Sequence, residues 1–333
     1  MNIQNIMHTQ INKVIVTTSA RLHMGFFDLT GSGFGSVGLA IDAPTTQIEI
    51  IKSAKSSIYD KSRENAANLV ESLVNSLYDN TFLTAKILRK RLKIKEKFTL
   101  IINQVIPTHA GLGSGTQMAL AVGDGLNQLF DLNLSVVQIG AAAGRATRSG
   151  IGVAAFSQGG FLVDTGKTGD GLPEIALRLN FPESWRVLLV KDFAHVGVHG
   201  AAESQAFQTL KPANYSLRDM VFNHMAPALQ RSDLLAFGAC MVDLQAYNGE
   251  YFAPIQGGHF ASADVATVLA WLQNNGAACV GQSSWGPTGF AIFEFESSAN
   301  AMQKQLQQQF ADFANISFQI VRAKNTGALI RPE

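Results

Sequence analysis

The feature that most constrains this chain is an order of three elements: a strand, a glycine loop and a helix. Phe98, Leu100 and Ile102 alternate with Thr99, Ile101 and Asn103, which is strand periodicity, and they lead straight into PTHAGLGSGTQMALAVG, Pro107 to Gly123. Beyond the loop, Met118, Ala121, Val122, Gly125, Leu126, Leu129 and Phe130 share one helical face. A loop in that setting points unpaired backbone N–H groups along a helix dipole, and phosphate is the usual guest. The same glycines also suit a plain tight connection, and the loop alone leaves the two readings level. It is neither GxxxxGK[ST], for want of a lysine after its last glycine, nor GxGxxG.

At 333 residues the chain exceeds the usual ceiling for one hydrophobic core, so two domains are expected, 1–180 and 181–333, with Asn180 to Trp185 as the boundary segment. A composition 47% hydrophobic and 15% charged excludes disorder and leaves room for a buried site. A net charge of +1 supplies no global field, so nucleic acid and membrane are not expected partners, and an anionic ligand must be drawn in locally. The basic run Lys86 to Lys97 has no interleaved aromatics and reads as a solvated helix face with its loop. Cys240 and Cys279 are isolated, and His195, His199 and His259 have no ligand spacing, so a zinc site is not expected. Gly113 stands directly before Ser114, so GxSxG, the hydrolase elbow, is absent. Two lone thiols, no apolar leader at the N-terminus and no run of roughly 18 apolar residues point to a soluble, cytoplasmic protein.

Short strands are expected at Val14 to Thr18, Gln47 to Lys52, Gly159 to Asp164, Arg186 to Val190, Gly289 to Phe295 and Ile316 to Val321. SARLHMGFFDLTGSGFGSVGLAID, between the first two, is too rich in glycine for a helix and reads as a loop or hairpin that brings backbone close to a ligand. Helices are expected from Arg63 to Asn80, from Ser216 to Gln245 with an interruption at Pro227, from Ala263 to Asn274 and from Ser298 to Phe310. The fold class is α+β.

P-x-x-x-G-L-G-S at the end of a strand resembles the phosphate-binding motif of the GHMP kinase superfamily. Ser19 to Asp28 resembles its N-terminal substrate loop, and Gly281 to Gly289, GQSSWGPTG, its closing loop. Gly115, Thr116 and Gln117 stand where kinases usually carry Ser and Ala. GLGSGTQ, RSGIGVAAFSQGGFLVD (Arg148 to Asp164), FAPIQGG (Phe252 to Gly258) and GQSSWGPTG together resemble a non-kinase branch, the β-ribofuranosylaminobenzene 5′-phosphate synthases.

The resemblance implies the GHMP fold, an N-terminal ribosomal protein S5 domain 2-like domain and a C-terminal ferredoxin-like domain. It implies condensation of 4-aminobenzoate with 5-phosphoribosyl 1-diphosphate, releasing CO2 and pyrophosphate, in methanopterin biosynthesis, by a homodimer with no organic cofactor. Gly111, Leu112, Gly113, Ser114, Gly115 and Thr116 would cradle the diphosphate, the hydroxyls of Ser114 and Thr116 donating to its oxygens or ligating a Mg2+. Arg21, Arg145 and Arg148 would steady the leaving charge, although the last two also suit a basic helix end. His23 and Asp28 are candidates to accept a hydrogen bond from the amino group. Phe26, Phe27 and Trp285 offer either ring stacking or core packing. Ser283, Ser284, Gly286, Pro287 and Thr288 suit a phosphate or carboxylate, and Gln256, Gly257 and Gly258 either a close backbone approach or a turn after a strand. An ATP-dependent kinase of the same fold and a non-catalytic phosphate-ligand protein remain the rival readings.

Overall fold

A computed structural model describes residues 11–30, 34–63, 81, 83–145, 148–167, 173–198 and 200–333. Past Arg63, the helix expected up to Asn80 lies outside them. The strands are β1 (Lys13–Phe26), β2 (Ser36–Lys52), β3 (Ser57–Asp60), β4 (Phe98–Gln104), β5 (Phe161–Asp164), β6 (Ile175–Leu179), β7 (Arg186–Asp192), β8 (Cys279–Gln282), β9 (Gly289–Phe293), β10 (Ile316–Val321) and β11 (Leu329–Pro332). The helices used below are α1 (Ser114–Phe130), α2 (Val136–Ala142), α3 (Ile151–Ser157), α4 (Gly200–Thr209), α5 (Leu234–Gln256), α6 (Ala263–Asn274) and α7 (Glu296–Gln309).

One sheet runs β11-β1-β2-β4-β3, with β5 pairing β2 and β6 pairing β5. The other runs β10-β7-β9-β8, so the four C-terminal strands lie in the spatial order fourth, first, third, second. With α6 between β7 and β8 in the chain, and α7 between β9 and β10, this is the split βαβ arrangement of a ferredoxin-like domain. The last strand, β11, returns across the expected boundary to pair antiparallel with β1, Val14 opposite Pro332 and Thr17 opposite Leu329.

β1 shows why the site forms where it does. Its even positions, Val14, Val16, Thr18, Ala20, Leu22 and Met24, are all buried, which is the period of two of a strand with a covered face. Val14 and Val16 pack under α1 with Ile48, Ile50 and Leu126. Ala20, Leu22 and Met24 enter a second core with Trp185, Leu189, Phe237 and Met241, which joins the two halves of the chain. The strand runs 14 residues, far beyond its β-branched start at Val14 to Thr18, because two bulges, at Ser19/Arg21 and His23/Gly25, let β1 and β2 stay paired through the glycine-rich stretch. The hairpin expectation therefore holds, and the bulges re-aim Arg21 and His23.

Two helix readings change. Pro227 does not end the helix: the run is helical from Arg218 to Gln230, and the chain takes up the missing N–H in a π-helical turn, Val221–Met225, directly before it. The break comes at Asp233, whose carboxylate accepts from Ala236 N at 3.0 Å and caps α5. FAPIQGG is not a turn after a strand: Phe252 to Gln256 end α5, and Gly257 closes it in the left-handed conformation at φ 84°.

Candidate active site

Three stretches far apart in the chain meet at Gly111. Its carbonyl accepts from Arg21 Nη1 at 2.6 Å and from Ser283 Oγ at 2.7 Å. Its φ is +74°, and a Cβ there would lie 2.3 Å from the Ser283 carbonyl oxygen. Only glycine fits such a contact and such a backbone. Arg21 N also donates to Leu112 O, and Ser283 Oγ accepts from His23 N at 3.0 Å. The substrate loop, the glycine loop and the closing loop of the resemblance are thus one hydrogen-bonded body.

α1 starts at this junction. Gly113, at φ 81°, precedes it and no side chain caps it, so the dipole end faces the junction without a competing acceptor from its own cap. Gln117, fully buried, fixes the helix laterally: its Oε1 accepts from Thr18 Oγ1 at 2.5 Å and its Nε2 donates to Gly152 O at 2.8 Å. A cavity of about 650 Å3 opens here, lined by Arg21, Gly111, Gly113, Ser114, Gly115, Thr116, Arg145, Glu203, Ser284, Trp285 and Gly286 among others. Its size suits a small-molecule ligand.

The electrostatics are set by two arginines. Burial lowers the Arg21 guanidinium to about 10, with the Glu203 carboxylate acting in the opposite direction, so Arg21 stays charged at neutral pH. Burial also lowers Arg145, whose Nη2 lies 3.3 Å from where a Gly115 Cβ would be. Both Nε atoms are buried without a partner. Arg148 differs: it lies over the Phe207 ring at 4.6 Å and pairs with Glu203 at 3.1 Å. Sequence spacing could not separate these two arginines, and the structure brings Arg145, not Arg148, to the glycine loop.

His23 is displaced from the large cavity. It lines a chamber of about 20 Å3, room for one water, together with Phe26, Phe252, Gln256, His259 and Trp285. Trp285 and Ser284 line both spaces and so divide them. Burial, and then the charge of Arg21, push the imidazole down to about 3, so it is neutral, and its Nε2 is buried without a partner. Trp285 packs against Phe252 at 4.3 Å and Phe207 at 5.7 Å between ring centroids.

Several expected residues stand apart from the cavity. Asp28 accepts from Thr30 N and Oγ1 in a local turn and lines neither space. Gln256 faces the small chamber and is spent on Gly258 O, His259 O and Gln282. Gly257 and Gly258 are a helix end with no close approach. Phe27 is core, edge-on to Phe222 at 5.8 Å. Ser283 and Thr288 are the fully buried hydroxyls of the closing loop, whose Gly286–Pro287 peptide is cis.

Two residues outside the expected set matter. Asp164, fully buried, accepts from Ser36 N and Oγ, Ser149 Oγ, Gly150 N and Gly166 N, and so pins the turn into α3. Glu203 is the only carboxylate lining the large cavity among the described residues. Among those residues no group of three or more His, Cys, Asp or Glu could hold a metal ion. Ser114 and Thr116, whose hydroxyls were expected to meet a Mg2+, both line the large cavity. No helix among the described residues is long and apolar enough to cross a membrane.

Comparison with known proteins bears on the family and the fold. The family described as GHMP kinases N terminal domain matches residues 75–160, and GHMP kinases C terminal matches 225–312. A protein of Methanocaldococcus jannaschii named β-ribofuranosylphenol 5′-phosphate synthase is 30% identical over 84% of this chain and 89% of its own. The chain belongs to this family, within the GHMP kinase superfamily. The Methanothermobacter thermautotrophicus protein of the same name is 28% identical over 84% of this chain and 88% of its own. Among solved structures, homoserine kinase from Cytophaga hutchinsonii shares the fold, with a TM-score of 0.66, 17% identity and coverage of 99% of this chain and 100% of its own. The α+β GHMP fold read from the motifs is thus the fold observed.

Proposed function

We propose that the chain joins the ribose of 5-phosphoribosyl 1-diphosphate to a para-substituted benzoate through carbon, releasing CO2 and pyrophosphate. The observation that carries this reading is the pair of buried guanidiniums, Arg21 and Arg145, each with an unpartnered Nε, at the uncapped start of α1. A diphosphate supplies the charge and the acceptor atoms that such a pair requires. The relatives' printed name carries phenol where the motifs suggested aminobenzene, which supports 4-hydroxybenzoate as the acceptor ahead of 4-aminobenzoate.

The ring carbon that bears the carboxylate gives its π pair to C1 of the ribose. The C1–O bond breaks with its pair leaving on the diphosphate, where Arg21, Arg145 and the N–H groups of Gly113 to Gly115 hold the developing charge. The bond to the carboxylate then breaks, CO2 departs, and its pair restores the aromatic ring. A Mg2+ bound to the diphosphate and to the hydroxyls of Ser114 and Thr116 would lower the leaving-group charge further. Trp285, rigid against Phe252, gives the flat acceptor a wall, and Ser284 N, bonded to His23 O at 2.9 Å, fixes that wall in place. Attack opposite the diphosphate predicts inversion at C1.

The test is incubation of the protein with phosphoribosyl diphosphate, Mg2+ and either acceptor. Release of CO2 and pyrophosphate in equal amounts is expected. ADP formation from ATP and an alcohol, with no release of CO2, would replace this reading by a kinase.

A further inference from the structure

A negative side chain in a cavity built for polyanions needs a reason. Glu203 lies in the first turn of α4, whose Gly200 lines the same cavity, and its side chain remains 32% exposed there. Like charge beside a diphosphate is unfavourable. Yet the carboxylate is held in place: Arg148 pairs with it at 3.1 Å, and the same guanidinium rests on Phe207, one turn further along α4. Arg148 is thus a brace that fixes the carboxylate's direction and offsets its charge before substrate arrives. The Glu203 charge also acts on the Arg21 guanidinium, so the carboxylate and the leaving-group cradle share one cavity.

The one place where a fixed negative charge lowers the barrier is opposite the carbon that turns positive. We propose that Glu203 is a catalytic residue, its carboxylate facing the ribose and stabilising the oxocarbenium character that grows at C1 as the C1–O bond breaks. It forms no covalent bond and takes no proton; the leaving electron pair still goes to the diphosphate. The inference rests on the proposed reaction and adds to it the group that meets the positive half of the transition state. No local motif marks it, because GAAESQAF reads as an ordinary helix start with an acidic first turn.

The experiment compares wild type, Glu203→Gln and Arg148→Met. For Glu203→Gln, kcat is expected to fall roughly 10²- to 10³-fold, as when one preorganised charge-stabilising group is removed. Its affinity for inorganic pyrophosphate, read by calorimetry, should stay equal or rise, since a like charge has gone, and its Tm should match wild type. Arg148→Met, which keeps the carboxylate, should lose much less rate. A Glu203→Gln rate within threefold of wild type overturns the proposal. So does an equal loss in both variants with a lowered Tm, which marks a structural ion pair, or rescue of Glu203→Gln by excess Mg2+, which marks a metal ligand. If wild type turns over neither benzoate, the proposed reaction falls on its own. Glu203 is then judged on acceptor-free hydrolysis of phosphoribosyl diphosphate to ribose 5-phosphate and pyrophosphate. Slower hydrolysis by Glu203→Gln keeps its role, and unchanged hydrolysis ends it.

Discussion

Arg21 Nη1 donates to the Gly111 carbonyl at 2.6 Å while its Nε, equally buried, has no partner. One side chain therefore does two jobs: it ties the β1 bulge to the glycine loop, and it leaves a charged donor for a ligand. Replacing Arg21 by Lys keeps the charge but loses the fork that serves both. Arg21→Lys is expected to weaken pyrophosphate binding by about 10- to 100-fold, the scale of one hydrogen bond to a charged group, in calorimetry on protein whose circular dichroism matches wild type.

Gly111→Ala places a Cβ at 2.3 Å from the Ser283 oxygen at a φ of +74°. Neither backbone can yield without parting the glycine loop from the closing loop. Loss of at least about 2 kcal/mol of stability is expected in chemical denaturation, with activity lost at temperatures where the variant is still folded.

Acid should destabilise the protein through His23. Its folded value is lowered to about 3, from 6.5 in the unfolded chain, so between these values the unfolded state binds the extra proton. Stability from this group is complete above pH 6.5 and declines as pH falls, by about 2 kcal/mol at pH 5. Urea denaturation at pH 7.5 and pH 5 measures it, and His23→Gln should flatten that difference. The pH–rate profile should show no limb near 6.5 from this imidazole.

Asp164→Ala leaves the buried Ser36 N, Gly150 N and Gly166 N without their carboxylate acceptor. A loss of roughly 3 kcal/mol is expected in denaturation. Asp164→Asn, which keeps one acceptor oxygen, should recover part of it.

The sequence carried the glycine loop, the closing loop and their alliance, because a carbonyl approached at 2.6 Å demands glycines and small hydroxyls, and those are visible as short strings. It carried β1 only to Thr18, since the bulges that prolong pairing past Arg21 and Gly25 depend on β2 and not on local propensity. Arg145 and Arg148 looked alike because what separates them, a Gly115 neighbour for one and a Glu203 partner for the other, comes from distant elements. His23 sat in the right motif, but its placement behind Trp285 follows from the packing of Phe26, Phe207 and Phe252, aromatics that have no local signature.

β11 pairs with β1 along the stretch Val14 to Thr17, a few residues before Arg21 on the same strand. During synthesis the outer edge of the first strand therefore stays open until Leu329–Pro332 has been made. The anion cradle also waits on distant residues, because Ser283 of the closing loop must reach the Gly111 carbonyl. Transplanting β11 to precede β1 by circular permutation would let the first half mature early, and the change in refolding rate would show how far that wait governs folding.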